Sequence, residues 1–89
     1  MFEPGTVIVF DPNSFNPSFW NNLSEKEKIK YYGQFGYGKS KPEYFVYLCD
    51  IILAQGQDTG HGVIVSLDDQ RVITMIHPNN FRETTEEEF

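Results

Sequence analysis

Hydrophobic and polar positions follow two rhythms along this chain, one of period two and one close to the helical period. Gly5-Thr6-Val7-Ile8-Val9-Phe10 is rich in β-branched residues and runs into Asp11-Pro12. Proline cannot donate to a ladder, so a first strand is predicted over about residues 5–10. Residues 11–17, DPNSFNP, are turn formers and read as loop. Pro17 suits the first turn of a short helix reaching about Leu23, and Ser24 with Glu27 makes a capping box that opens a second helical stretch as far as Gly33. Within that stretch Ile29 and Tyr32 share one narrow stripe while the lysines face elsewhere, the pattern of a surface helix laid on a core. Residues 33–42, GQFGYGKSKP, are dense in glycine and read as an irregular loop.

The second half of the chain reads as β structure. Tyr44–Leu53, YFVYLCDIIL, is nearly all apolar, and its length fits a strand or a short helix. Val46, Ile51, Ile52 and the aromatics favour the strand, and apolar residues on both faces predict cover on both sides, one of them from the preceding helix. QGQDTG, residues 55–60, is a turn cluster. His61–Leu67 then alternates with Val63, Val65 and Leu67 on one face, Asp68-Asp69 turns the chain, and Arg71–Ile76 returns with Val72, Thr74 and Ile76 on one side. This is the pattern of a β-hairpin. A tight turn at His77-Pro78-Asn79-Asn80 leads to a last short strand over Phe81–Thr85, and the acidic end TEEEF reads as frayed.

With 89 residues the chain fits a single domain, residues 1–89, with residues 11–42 as a helical and loop insertion and residues 86–89 as an acidic tail. Eight Phe, five Tyr and one Trp supply much buriable area for so small a core. Over roughly residues 43–89, and above all in the hairpin HGVIVSLDDQRVITMI, the turn HPNN and the segment FRETT, the chain resembles an SH3-like small β-barrel, in which a single helical turn precedes the last strand. The resemblance implies a mainly β fold of about five strands, with the helix between the first and second strands. It also implies a binding module, because barrels of this kind usually bind peptides, modified side chains or nucleic acid and rarely do chemistry.

Charge and motifs add candidates for what is bound. The formal charge of −6 disfavours general binding to a nucleic-acid backbone, but it is unevenly distributed. Lys26, Lys28, Lys30, Lys39 and Lys41 form a basic island, whereas from Pro42 onward nine acidic residues face only Arg71 and Arg82. Inside the island, GQFGYGKS (residues 33–40) satisfies the phosphate-loop pattern G-x-x-x-x-G-K-[ST]. Such a loop works by following a strand and opening a helix, so that amides and the helix N-terminus converge on phosphate. Here the match follows a predicted helix and precedes a predicted strand, so it reads as coincidence. Cys49 and His61 invite comparison with cysteine hydrolases, and HGVIVSLDDQRVITMIH is similar to the histidine strand of NlpC-type cell-wall peptidases. In those enzymes the nucleophile opens a helix, where its thiolate is favoured; Cys49, in the middle of an apolar run, reads instead as a buried small hydrophobe. His61 and His77 flank the hairpin at opposite ends, and the single Cys offers no recognisable zinc-ligand spacing. Asp58, Asp68 and Asp69 sit in predicted turns, where carboxylates bond nearby backbone amides.

The leading expectation is a non-catalytic interaction or adaptor module for a protein partner. Trp20, Tyr32, Phe35 and Tyr37 would be exposed aromatic anchors, with Lys39 and Lys41 orienting an anionic group. Three alternatives stay open: nucleic-acid or nucleotide binding through residues 31–41, where Tyr31 joins those rings; an acidic mimic of a basic partner, acting through Glu86, Glu87 and Glu88; and a small hydrolase. No cofactor, metal or membrane partner is expected. The lone Cys49 and the lack of a basic start before an apolar run point to the cytoplasm.

Overall fold

A computed structural model describes residues 2–84. The expectations for Thr85 as the end of the last strand, for the frayed end and for mimicry by Glu86–Glu88 lie outside them. The architecture is mainly β: five antiparallel strands form one open sheet in the order β4-β3-β2-β1-β5. The strands are β1 (Val7–Phe10), β2 (Tyr44–Ile52), β3 (Asp58–Ser66), β4 (Val72–Ile76) and β5 (Phe81–Glu83). Two helices, α1 (Pro17–Asn21) and α2 (Glu25–Tyr32), lie in the excursion between β1 and β2, and a 3-10 turn at Pro78–Asn80 precedes β5.

The helix starts follow the local chemistry of the sequence. Asn16 caps α1 by accepting from the Ser18 and Phe19 amides, with Pro17 in the first turn. The capping box at α2 is complete: Ser24 Oγ accepts from the Glu27 amide and Glu27 Oε1 accepts from the Ser24 amide. Helix α2 ends at Gly33, and a 3-10 turn (Gly33–Phe35) continues the chain to Gly36, which takes a left-handed conformation.

Packing centres on Phe10. Its ring contacts those of Phe15, Trp20, Tyr32, Phe35, Tyr37 and Phe81, at centroid distances from 5.4 to 6.5 Å. The excursion therefore folds its aromatics back over the end of β1 and joins a core that also contains Ile8, Phe45, Tyr47, Ile64 and Ile76. Gly62 admits Tyr47 to that core, since a Cβ there would collide with the Tyr47 ring and hydroxyl. The hydroxyl donates to Asp50. Burial, then the hydrogen bond and the charge of Asp50, push the Tyr47 phenol far above its ordinary range.

Four expectations are corrected by this arrangement. First, β3 begins at Asp58, inside the predicted turn cluster, because Thr59 donates from its hydroxyl to the Ile51 carbonyl and Leu53 bonds Gln57, which closes the β2–β3 turn. Second, the core face of β3 carries Gly62, Ile64 and Ser66, while Val63 and Val65 are half-buried and Leu67 is exposed. On β4, Ile76 is buried, but Val72 and Thr74 are exposed and Ile73 packs on the core. A register shift between Gly62 and Ile64, with a positive φ at Met75, breaks the simple alternation. Third, β2 is covered on one face only: beyond the register shift at Tyr47 and Cys49, the side chains of Leu48, Cys49 and Ile52 are exposed. Cys49 is thus an exposed thiol, not a buried small hydrophobe. Fourth, Ile29 is exposed, so Tyr32 is the residue of α2's apolar stripe that reaches the core. Among the described residues no helix is long and apolar enough to cross a membrane.

Candidate functional site

The phosphate-loop match folds as a compact turn whose polar groups serve the protein itself. Its amides bond internally: Gly36 to the Gly33 carbonyl at 3.0 Å, Tyr37 to Tyr32 at 3.4 Å and Lys39 to Gly36 at 3.2 Å. No helix starts at Lys39, because β2 follows at Tyr44. A helix N-terminus, one of the two features that hold phosphate, is therefore lacking at this loop, and three of its amides are already engaged.

Lys39 instead meets a buried carboxylate. Glu43 stands just before β2 with its side chain 1% exposed, and Lys39 Nζ donates to its Oε1 at 2.6 Å. Its other oxygen, Oε2, accepts from Ser66 Oγ at 2.6 Å and from Arg71 Nη2 at 3.1 Å. Arg71 Nη2 also donates to the Gln34 carbonyl at 2.7 Å, and Asp69 braces Arg71 through its amide and its Nη1. One carboxylate thus ties together the loop of residues 33–42, the start of β2, the end of β3 and the β3–β4 turn. Gly36 is required beside it: its φ is +96°, and a Cβ would come within 2.8 Å of Glu43 Cβ. Burial pushes the Glu43 carboxyl up, but the hydrogen bonds from Lys39 and Ser66 and the charges of Lys39 and Arg71 outweigh it and hold the group below its ordinary value.

Beside this clasp lies a cleft of about 320 Å³, walled by Val9, Phe10, Pro12, Phe35, Tyr37 and Pro42, with Gly36, Gly38, Lys39, Ser40 and Glu43 completing it. Its lining is mostly apolar, and the Lys39 side chain, half exposed, supplies the ammonium. An ammonium has three donors, so bonding Glu43 leaves it able to donate to a second acceptor. Such a cleft can take one apolar side chain and fix an anionic group next to it.

The sequence-nominated residues divide at this cleft. Phe35, Tyr37 and Lys39 line it. Trp20 and Tyr32 do not; they pack against each other and against Phe10 and Phe15. The expected exposure of the four aromatic anchors is corrected: Phe35 is buried, and Trp20, Tyr32 and Tyr37 are half-buried, because Phe10 draws their rings inward. Tyr37 is further fixed by donating from its hydroxyl to Glu25 at 3.2 Å. Lys41 is exposed and is not part of the cleft lining. Lys28 sits over the Trp20 ring at 4.8 Å and Lys30 over the half-exposed Tyr31 at 5.6 Å. The basic island is therefore partly engaged with the protein's own rings.

Glu43, Ser66 and Arg71 were not legible as a site in the sequence. The available signal was a single acidic residue directly before a long apolar strand, where no solvated face accounts for it. His61 and His77, expected at opposite ends of the hairpin, are brought together by it, with ring centroids 4.5 Å apart. Asp58 and Asp69 each accept from a backbone amide two residues on, as expected of turn carboxylates. Among the described residues, no group of three or more His, Cys, Asp and Glu could share a metal ion. Comparison with known proteins yields no match among family models, curated proteins or solved structures.

Proposed function

We propose that this chain is a non-catalytic, SH3-like interaction module that binds a protein partner by seating a peptide side chain in the cleft beside Lys39. The observation that carries this reading is the cleft itself: a mostly apolar hollow of about 320 Å³ whose lining includes Lys39 together with its partner Glu43. That volume suits one or two side chains of an extended peptide and falls at the small end of ligand sites. The preferred peptide carries an apolar residue next to a carboxylate, the first for the walls of Phe35, Tyr37 and Pro42, the second for Lys39 Nζ. The strand order, the long excursion between β1 and β2 and the 3-10 turn before β5 support the small-barrel reading.

Selection of peptides from a displayed random library on the wild-type chain tests this. Ser40 is exposed and lines the cleft, so Ser40→Trp fills the hollow while leaving the Glu43 clasp and the Phe10 cluster in place. The expected result is enrichment of sequences pairing an apolar with an acidic residue, whose binding is lost in Ser40→Trp. Enriched peptides that bind the Ser40→Trp protein equally well, or a selection that enriches nothing, would overturn the reading.

A further inference from the structure

We propose that His61 and His77 form a two-imidazole chelating site for a borderline divalent transition-metal ion such as Zn²⁺. Strands β3 and β4 pair at Gly62 and Ile76, so the next rung of the antiparallel ladder sets residue 61 opposite residue 77. Their ring centroids are 4.5 Å apart and the planes are tilted by 51°. At that separation a nitrogen of each ring can reach one ion at bonds of about 2.0–2.1 Å.

A second observation points to the nitrogen involved. His61 Nδ1 is the buried side-chain polar atom that lacks a hydrogen-bond partner among the described residues. A buried imidazole nitrogen left without a partner is costly, and a metal ion satisfies it. Ligating histidines usually bind through one nitrogen and give the other N–H to an acceptor or to water. Coordination through Nδ1 leaves Nε2–H of this half-buried ring for solvent, whereas coordination through Nε2 would strand an Nδ1–H with no acceptor. The backbone on each side is held: the His61 amide donates to Thr59 Oγ1 at 3.2 Å, and the His77 carbonyl accepts from the Asn80 amide at 3.0 Å. With only two protein ligands in reach, water fills the remaining positions from the side of His77, which is exposed. Imidazole donors favour Zn²⁺, Ni²⁺ and Cu²⁺ and discriminate against Mg²⁺ and Ca²⁺.

The test uses the full chain carrying Cys49→Ser, which removes an exposed thiol that would compete for soft metals. Zinc chloride is titrated by calorimetry, with magnesium chloride as the control, and the imidazole proton resonances are followed during addition of nickel chloride. Saturable binding of one Zn²⁺ and none of Mg²⁺ is expected. His61→Ala or His77→Ala should each weaken binding by about a hundredfold or more, beyond the usual cost of losing an outer partner of a metal ligand. The ring signals of His61 and His77 should broaden together at low Ni²⁺ ratios, a readout that needs no variant to fold. Histidine signals that stay unmoved by Ni²⁺, no saturable Zn²⁺ binding, or binding undiminished in either alanine variant would overturn the proposal.

Discussion

Replacing Glu43 by Gln removes a charge from the protein interior while nearly preserving shape, and the structure sets its consequence. The carboxylate accepts three hydrogen bonds, two at 2.6 Å and one at 3.1 Å, with charged donors in two of them. A glutamine can turn its carbonyl oxygen toward Ser66 and Arg71 only by presenting its NH₂ to the Lys39 ammonium, which must then leave for water. The reverse orientation frees Arg71 instead. One charge-assisted bond is lost in either case, the bond to the remaining cation becomes charge-to-neutral, and the bond with Ser66 becomes one between neutral groups. The freed cation rehydrates readily, since the Lys39 and Arg71 side chains are 51% and 41% exposed. The loss therefore falls below the cost of stranding a fully buried charge and comes to about 2 kcal/mol. With a urea m-value of roughly 1 kcal/mol/M for so small a domain, the midpoint should fall by about 2 M.

The pH dependence of the same comparison isolates the charge. The Glu43 carboxyl is held below its ordinary value of 4.5 in the folded protein. Its stabilisation is thus fully present above 4.5 and is lost as pH falls through the lower folded value. Urea melts of wild type and Glu43→Gln should differ fully at pH 7 and converge below 4.5, where the wild-type carboxyl takes up its proton. A midpoint difference under about 0.3 M at pH 7, against the loss expected for charge-assisted bonds, or a difference independent of pH, would refute the clasp.

Other consequences are open to similar checks. Phe10→Ala removes the ring at the centre of the aromatic cluster and should cost about 4 kcal/mol by urea denaturation, a large share of the stability of a chain this size. Gly62→Ala places a methyl against the Tyr47 hydroxyl and should cost roughly 1–3 kcal/mol by overpacking; an unchanged midpoint would mean that Tyr47 does not pack on Gly62. Because burial and Asp50 raise the Tyr47 phenol above its ordinary 10.0, the folded state favours the neutral form, and stability should decline as pH rises beyond 10.0. An ultraviolet phenol titration should find this tyrosine ionising only as the protein unfolds, and reversible ionisation near 10 in the folded state would contradict its environment.

Local chemistry made much of the fold legible, and long-range geometry hid much of the site. Ser24 and Glu27 marked the start of α2 because capping is settled within four residues, and the Asp68-Asp69 turn marked the hairpin for the same reason. The inward face of β3 was misread because Val63 and Val65 look like core residues. What fixes that face is the Tyr47 ring, which needs a glycine opposite it and therefore turns Gly62, Ile64 and Ser66 inward. The aromatic residues of the excursion were seen as candidates for recognition, but their orientation depends on Phe10, a residue of another segment. The Glu43 clasp draws on four separated stretches of chain, so no local pattern announces it. Lys39 matched a nucleotide motif by its neighbours in sequence, while its partner in space is a carboxylate four residues on. The pairing of His61 and His77 follows from the hairpin once its two ends are treated as neighbours in space.

An amide NMR titration of the ¹⁵N-labelled chain, first with magnesium-ATP and then with a peptide from the selection, tests the binding proposal most directly. No change is expected with magnesium-ATP, and saturable peptide-induced shifts are expected at Gly36, Tyr37, Gly38, Lys39 and Ser40, which line the cleft with the end of β1. Saturable shifts of those amides with magnesium-ATP, or peptide shifts confined to the exposed face of β2 around Leu48 and Ile52, would contradict it.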